Sequence, residues 1–429
     1  MTAFNDNYRE LTLDNGLRVV LQNTPTRTIS GRLRVFHGGL HERVGEEGLA
    51  HFLEHTIMTG GGRKYSPAEV EQIKNSFGEI NAGTNSSETA FPVGMLAGEL
   101  GLYLDLISDI VFHPRLDPEK VNQERQRVLR ETADRKSSPV FQDNQDFMNA
   151  LYGANAPQNY FVLGKEDVVA RATPDDLRAF HQRGYSPNNM DLILVGGLPD
   201  NTEELVAHYF GDKSRGSGKK YEFPRVPDFQ EKVIFHRSAP GFLNEENPEA
   251  SSAPFRIGLI APSETADDKY AVYQLANVLG GSGKSRLFQR LSQEMGLAYG
   301  VGSSYSSCDN SGMIDIGGRI QAIKADEAFV AIFEEMDRLK SELVDPTELE
   351  KIKRTVNYGL AKRFESNDGR VGALEAILER GITAESHLRG MNAVTPELVQ
   401  EAANKYFPTN IEDGKYVLLF VDPLKKCEH

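Results

Sequence analysis

The chain has 429 residues, 39% hydrophobic and 26% charged, the balance of a soluble globular enzyme and enough for about two to four domains. A net charge of −14 argues against a nucleic-acid partner, and no apolar run approaches the roughly 20 residues of a membrane span. Two cysteines, Cys308 and Cys427, supply neither a disulfide framework nor a cysteine metal site. Met1 to Asp6 shows no basic segment leading into an apolar run, so no signal peptide is predicted and the expected compartment is the cytoplasm.

Residues 8–22 alternate around Asp14-Asn15-Gly16, which predicts a hairpin with positive φ at the turn. A strand is predicted over 32–37. Gly38-Gly39 and Gly45 then lead into a helix carrying His51-Phe52-Leu53-Glu54-His55, ended by Gly60-Gly61-Gly62. Ser66, Pro67 and Glu69 spell the start of a short helix, which Gly78 closes. Residues 79–93 read as extended and contain Asn81-Ala82-Gly83-Thr84; residues 95–111 are apolar at helical spacing. Asp117-Pro118 starts a long helix to about residue 136, and Thr173-Pro174 caps another ahead of the apolar strand Met190 to Val195. Residues 211–230, rich in Lys, Gly, Ser and Pro, are the predicted linker.

Beyond the linker the pattern returns. The strand Phe255 to Ile260 matches Leu33 to Gly38, and Thr395-Pro396 repeats Thr173-Pro174 222 residues later. Asp345-Pro346 repeats Asp117-Pro118 at 228. At the first separation His51 falls on Tyr273 and His55 on Asn277. The sequence therefore predicts an α+β protein of two homologous domains, 1–220 and 231–429. Each would be a mostly antiparallel sheet flanked by helices, with the candidate metal residues in the first alone.

His51, Glu54 and His55 share one helix face. Two imidazoles one turn apart can reach one metal ion, and the carboxylate between them can reach a water there. This H-x-x-E-H order mirrors the H-E-x-x-H helix of zinc peptidases. A three-ligand site needs one more group, and the helix at 118–136 offers Glu124 and Glu131 on one face. Spacing does not choose between them or exclude other carboxylates.

The spacing from His55 to Glu131, with Glu124-Arg125 before it, resembles the signature of the M16 (pitrilysin-type, inverzincin) metallopeptidases. Gly48-Leu49-Ala50-His51-Phe52-Leu53-Glu54-His55 is similar to that family's motif helix almost letter for letter. Phe77-Gly78, Asn81-Ala82, Ser285 to Gln289 and Gly296-Leu297-Ala298-Tyr299 resemble further segments, so the likeness spans the chain. The length resembles the short M16B branch, which includes mitochondrial processing peptidase subunits. The resemblance implies one zinc per chain held by His51, His55 and Glu131, with Glu54 as general base and Glu124 orienting the ligands. It also implies that Asn81, Ala82, Gly83 and Thr84 bind peptide at a sheet edge, and that Tyr299 contacts substrate. The activity implied is a zinc endopeptidase or oligopeptidase in a chamber formed by two chains.

One position departs from that pattern. Members acting alone usually carry an Arg seven residues before the second-domain Tyr; here that residue is Ser292. The resemblance then implies the metal-bearing subunit of a heterodimer, with a homodimer as the alternative partner arrangement. The competing class is a non-catalytic assembly or peptide-binding subunit, against which all four of His51, Glu54, His55 and Glu131 stand. Gly280 to Ser285 fails as a phosphate loop, because Val278 sits at the first Gly position and a helix precedes it. His37, His41, His113 and Cys308 are read as packing, helix-end or surface residues.

Overall fold

The hairpin comes first. Arg9–Thr12 (β1) and Arg18–Asn23 (β2) pair antiparallel across a turn in which Gly16 has φ 90°. Asn15 anchors that turn through a side-chain bond to Phe210 O at 2.6 Å. The computed structural model describes residues 8–154, 156–214, 216, 218, 219, 233–238, 246, 247, 251–308, 310–410, 412 and 414–424.

The chain continues through β3 (Thr28–Val35), α1 (Leu49–Gly60), α2 (Pro67–Lys74), β4 (Glu79–Ile80), β5 (Gly83–Thr84) and β6 (Thr89–Leu96). Next come α3 (Leu100–Phe112), α4 (Pro118–Ser137), α5 (Pro139–Tyr152), α6 (Glu166–Arg171), α7 (Pro174–Gly184), β7 (Met190–Gly196) and α8 (Thr202–Phe210). The second half runs β8 (Val233–Ser238), β9 (Ser252–Ala261), α9 (Lys269–Gly280), β10 (Ala298–Cys308) and β11 (Ser311–Gln321). It ends with α10 (Ala325–Ser341), α11 (Pro346–Arg363), α12 (Asn367–Arg380), α13 (Ala384–Ala393), α14 (Pro396–Tyr406) and β12 (Val417–Asp422).

The first sheet has the order β1-β2-β7-β3-β6-β4, with β5 also on β6; the second has β10-β11-β9-β12-β8. Both are mostly antiparallel, as predicted, and each holds one parallel pair, β2 with β7 and β8 with β12. The predicted caps form as well. The hydroxyls of Ser66, Thr173 and Thr395 accept bonds from the N–H groups of Glu69, Asp176 and Leu398.

Two compact units result, and neither is a continuous stretch. Unit 1 comprises Met1–Pro139, Tyr160–Glu222 and Leu360–Glu385; unit 2 comprises Val140–Asn159, Phe223–Gly359 and Ser386–His429. The packing thus departs from a clean division at the linker. From α12, Val371 and Leu374 bury against Val20, Ile193 and Val195 in unit 1. Arg32 bonds Glu375 at 2.8 Å, and the buried Arg34 pairs with Glu88 at 2.5 Å and with Glu379. From α5, Phe147 and Leu151 bury against Met313, Val417 and Leu419 in unit 2, with the Arg256 guanidinium 4.3 Å from the Phe147 ring centroid. The physical reason is exposure: β2, β7 and β12 are apolar on both faces, and the exchanged helices cover the second one. Of the predicted linker, residues 215, 217 and 220–230 lie outside the described residues.

In unit 1, α1, α3, α4 and α7 lie against one sheet face and α12 against the other. Leu49, Phe52, Leu53 and Ile57 put the apolar face of α1 into a core with Leu33, Phe91, Val121 and Val128. On α4 the buried residues are Val121, Glu124, Val128 and Thr132, a helical stripe that carries one acid. Glu131 stands beside that stripe, at its solvent-facing border.

Candidate metal centre and its surroundings

Helices α1 and α4 bring His51, His55 and Glu131 together. One ligand atom from each lies within 4.8 Å of the others, the one such group of three among the described residues. Glu131 Oε2 is 3.8 Å from His51 Nε2 and 3.6 Å from His55 Nε2. Ligand atoms bound tetrahedrally at zinc distances stand about 3.4 Å apart, so the donor set fits such an ion with small side-chain adjustment. Two imidazoles and one carboxylate also match the chemistry of that ion.

Each histidine is prepared differently. His51 is buried, its Nδ1 without a hydrogen-bond partner among the described residues. Burial, reinforced by His55, holds its pKa down at about 3, so the ring is neutral, as a ligand must be. His55 presents Nδ1 to Glu124 Oε2 at 3.6 Å, an ion-pair contact longer than a hydrogen bond, and Nε2 to Glu131. Burial opposes charge on His55, but Glu124, Glu54 and Glu131 outweigh it and raise its pKa. A carboxylate on the far nitrogen fixes the ring's orientation. Glu124 itself is almost fully buried, and Lys120 at 3.6 Å and Arg127 at 3.3 Å flank it. Burial works against its charge; His55, Thr59 and these cations prevail and lower its pKa.

Glu54 is buried beside the group and accepts a 2.8 Å hydrogen bond from Thr84 Oγ1. Burial raises its carboxyl above the ordinary range, against that bond and the His55 charge. Thr84 lies on β5, which pairs only with β6 among the described residues; Gly83 faces Ala90 and Thr84 faces Thr89. Asn81 N–H bonds Pro92 O at 3.1 Å, and Asn81 Oδ1 accepts from Ala82 N–H. A Cβ built on Gly83 would meet nothing within 4 Å. The four edge residues thus lie along the sheet margin, with Thr84 tied directly to Glu54. That link had no signal in the sequence, because it depends on which strand ends beside α1.

Tyr299 belongs to unit 2, where it is 95% exposed. Ser292 lies in the wide-turn helix Phe288–Glu294, its hydroxyl buried without a partner among the described residues. The neighbouring cations are engaged: Arg286 with Glu348 at 3.1 Å, and Arg290 with Glu294 at 3.3 Å. His37 and His41 stand outside the metal group, His37 packed on Phe180 at 4.4 Å. His113 caps the end of α3 and accepts from Arg63 at 3.1 Å. The Gly280–Ser285 turn follows α9, a helix rather than a strand, as its sequence predicted. The Cys308 thiol is not described, and Cys427 lies outside the described residues.

Residues 18–157 match the family model described as Insulinase (Peptidase family M16), and residues 171–356 match Peptidase M16 inactive domain. An uncharacterized zinc protease of Bacillus subtilis, YmxG, is 28% identical over 97% of this chain and 98% of its own length. An uncharacterized zinc protease of Mycobacterium leprae is 27% identical over 92% and 88%. A protease from Helicobacter pylori superposes with a TM-score of 0.81 at 22% identity, covering 97% of this chain and all of that one. The first half of the periplasmic protease PqqL of Escherichia coli gives 0.81 at 18% identity, over 97% and 92%. No described helix is long and apolar enough to cross a membrane. With both halves matched in order and the fold shared along nearly its whole length, the chain belongs to peptidase family M16.

Proposed function

We propose that this chain is a zinc-dependent endopeptidase or oligopeptidase acting on extended peptides. The observation that carries the reading is the meeting of His51, His55 and Glu131 with the Glu54 carboxylate beside them and an open sheet edge tied to it. A zinc ion held by His51, His55 and Glu131 would lower the pKa of water and polarise the scissile carbonyl. Glu54 takes a proton from the attacking water and returns it to the leaving amine nitrogen. Thr84 orients that carboxylate. Glu124 holds His55 in place through Nδ1. The peptide lies along the outer edge of β5, near Asn81 to Thr84, through main-chain hydrogen bonds that tolerate many side chains.

The chain is proposed to work in pairs, as the zinc-bearing member. Ser292, and the engagement of the nearest arginines, leave no basic side chain seven residues before Tyr299 to complete the second domain's contribution. The match spans 48% of the solved chain of the periplasmic protease PqqL, which has room for two such lengths. The family description "inactive domain" applies to residues 171–356, which contain none of the four site residues.

Chelation followed by metal return tests the reading. Peptide cleavage should disappear with chelator and return with about one zinc per chain. Adding the M16 partner chain from the same source should raise turnover strongly. Full activity of the purified chain alone would overturn the divided arrangement, and a zinc-loaded chain inert in every pairing would overturn the peptidase.

A further inference from the structure

The loop ahead of α1 contains a half-buried acid that the roles above leave unused. Glu42 Oε2 accepts from the Gly48 N–H at 2.8 Å, and Oε1 accepts from the Ala50 N–H at 2.7 Å. The Tyr160 hydroxyl donates to the same carboxylate. Both N–H groups open α1, whose N-cap, Gly48, sits at φ 102° and has no side chain to cap with. A Cβ at Gly48 would press on Leu163 O at 2.8 Å, so a capping side chain has no room there. Glu42 supplies the missing acceptors from outside the helix, and a carboxylate also suits the positive end of the helix dipole.

The capping acid is itself held. A Cβ on Gly39 would overlap the Tyr160 ring, so that ring lies directly on the Gly39 backbone. Glu46 accepts from Arg183 at 3.0 Å and Glu47 from Lys165 at 3.0 Å, fixing the same loop at two further points. Burial pushes the Glu42 carboxyl up to about 7, against the hydrogen bonds it accepts.

His51 follows Ala50 directly, within the first turn of α1. First turns fray unless capped, and here the turn carries a proposed metal ligand. We propose that Glu42, oriented by Tyr160, is a positioning residue that fixes the first turn of α1 and so the His51 imidazole, making metal affinity depend on it. This inference rests on the reading of His51 as a ligand.

The test is competition of the full chain against a chromophoric chelator for zinc. It compares wild type, Glu42→Gln, Glu42→Ala, Tyr160→Phe and Thr173→Ala, with thermal unfolding of the metal-free proteins and kcat and KM on one peptide. Gln keeps the shape but turns an amide N–H towards a donor. Zinc affinity is expected to fall about tenfold in Glu42→Gln, more in Glu42→Ala and several-fold in Tyr160→Phe, the scale of outer partners of metal ligands. The activity loss should appear in kcat at fixed zinc, with KM unchanged. Thr173→Ala, which uncaps α7, should lower the unfolding temperature and leave zinc affinity intact. Should Glu42→Ala fail to fold, Tyr160→Phe carries the test. Glu42 and Tyr160 variants that lose stability as Thr173→Ala does, yet bind zinc as wild type does, would overturn the positioning role. A folded wild type that binds no zinc would overturn the ligand assignment first and this inference with it.

Discussion

Helices α1 and α9 stand in equivalent places and have been put to different uses. Both are twelve residues long, both follow a central strand, and each packs on a helix opened by a Thr-Pro step, α7 or α14. On α1 the polar residues point at partners on other elements: Glu54 at Thr84, His55 at Glu124 and Glu131. On α9 the matching residues are engaged otherwise, Asn277 within its own helix and Tyr273 against α13. Asn277 Nδ2 donates to Tyr273 O at 2.8 Å, and the Tyr273 ring sits edge-on to His387. The places of Glu124 and Glu131, at the spacing set by the two Asp-Pro steps, hold Ile352 and Gly359. Ile352 is part of the unit 2 core. The same fold therefore stands without any of these acids and imidazoles. Buried ionisable groups oppose stability unless partnered, so their presence in unit 1 alone supports the proposed metal site.

The strongest way to break this comparison is at the ligands. Glu131→Ala should cut zinc affinity by more than about a hundredfold, beyond the usual effect of an outer partner. Tyr273→His with Asn277→His should add no second zinc, because Ile352 and Gly359 stand at the places of Glu124 and Glu131. Two zinc ions per chain by elemental analysis of that double variant would show that two histidines suffice.

Next in size are the exchanged helices. Leu374→Ala removes contacts with Val20, Ile193 and Val195, and should cost about 2–5 kcal/mol by urea unfolding. Phe147→Ala should cost about 3–5 kcal/mol. Hydrogen exchange should place the first loss in unit 1 and the second in unit 2. The reverse assignment would contradict the exchange.

Acid sharpens the contrast further. Burial holds His37 at about 3 and His181 at about 4, both in unit 1; His41 and Arg183 add to the effect on His37. Between pH 6.5 and about 4 each of these two histidines holds more proton in the unfolded chain than in the folded one. Their contribution to stability should therefore fall as pH drops through that window, by on the order of 2 kcal/mol per histidine at pH 4.5. His37→Phe should flatten the dependence in urea titrations; an unchanged slope would remove His37 from the account.

The smallest expected effect is at the sheet edge. Thr84→Val deletes a hydrogen bond to the charged form of Glu54, so the Glu54 pKa should rise. The acid limb of the activity profile should then move to higher pH by about one unit or less.

Much of this was legible in the sequence because it is local. The Asn15-Gly16 turn, the Ser66 and Thr173 caps and the pairing of His51 with His55 each depend on residues a few places apart. Glu131 needed the family resemblance, since Glu124 on the same helix fitted the spacing equally well; burial separates the two, Glu124 inside and Glu131 at the border. The exchange of α5 and α12 was not legible, because apolar stripes show that a helix packs without showing on which sheet. The bonds from Thr84 to Glu54 and from Tyr160 to Glu42 join segments that only the folded backbone brings together.

The most direct test of the central claim pairs zinc content with peptide cleavage in wild type and Glu54→Gln. The account predicts about one zinc per chain in both proteins, with turnover in the variant lower by about 100- to 10,000-fold, the range for a lost general base. Equal turnover in the two, or a folded wild type without zinc, would contradict it.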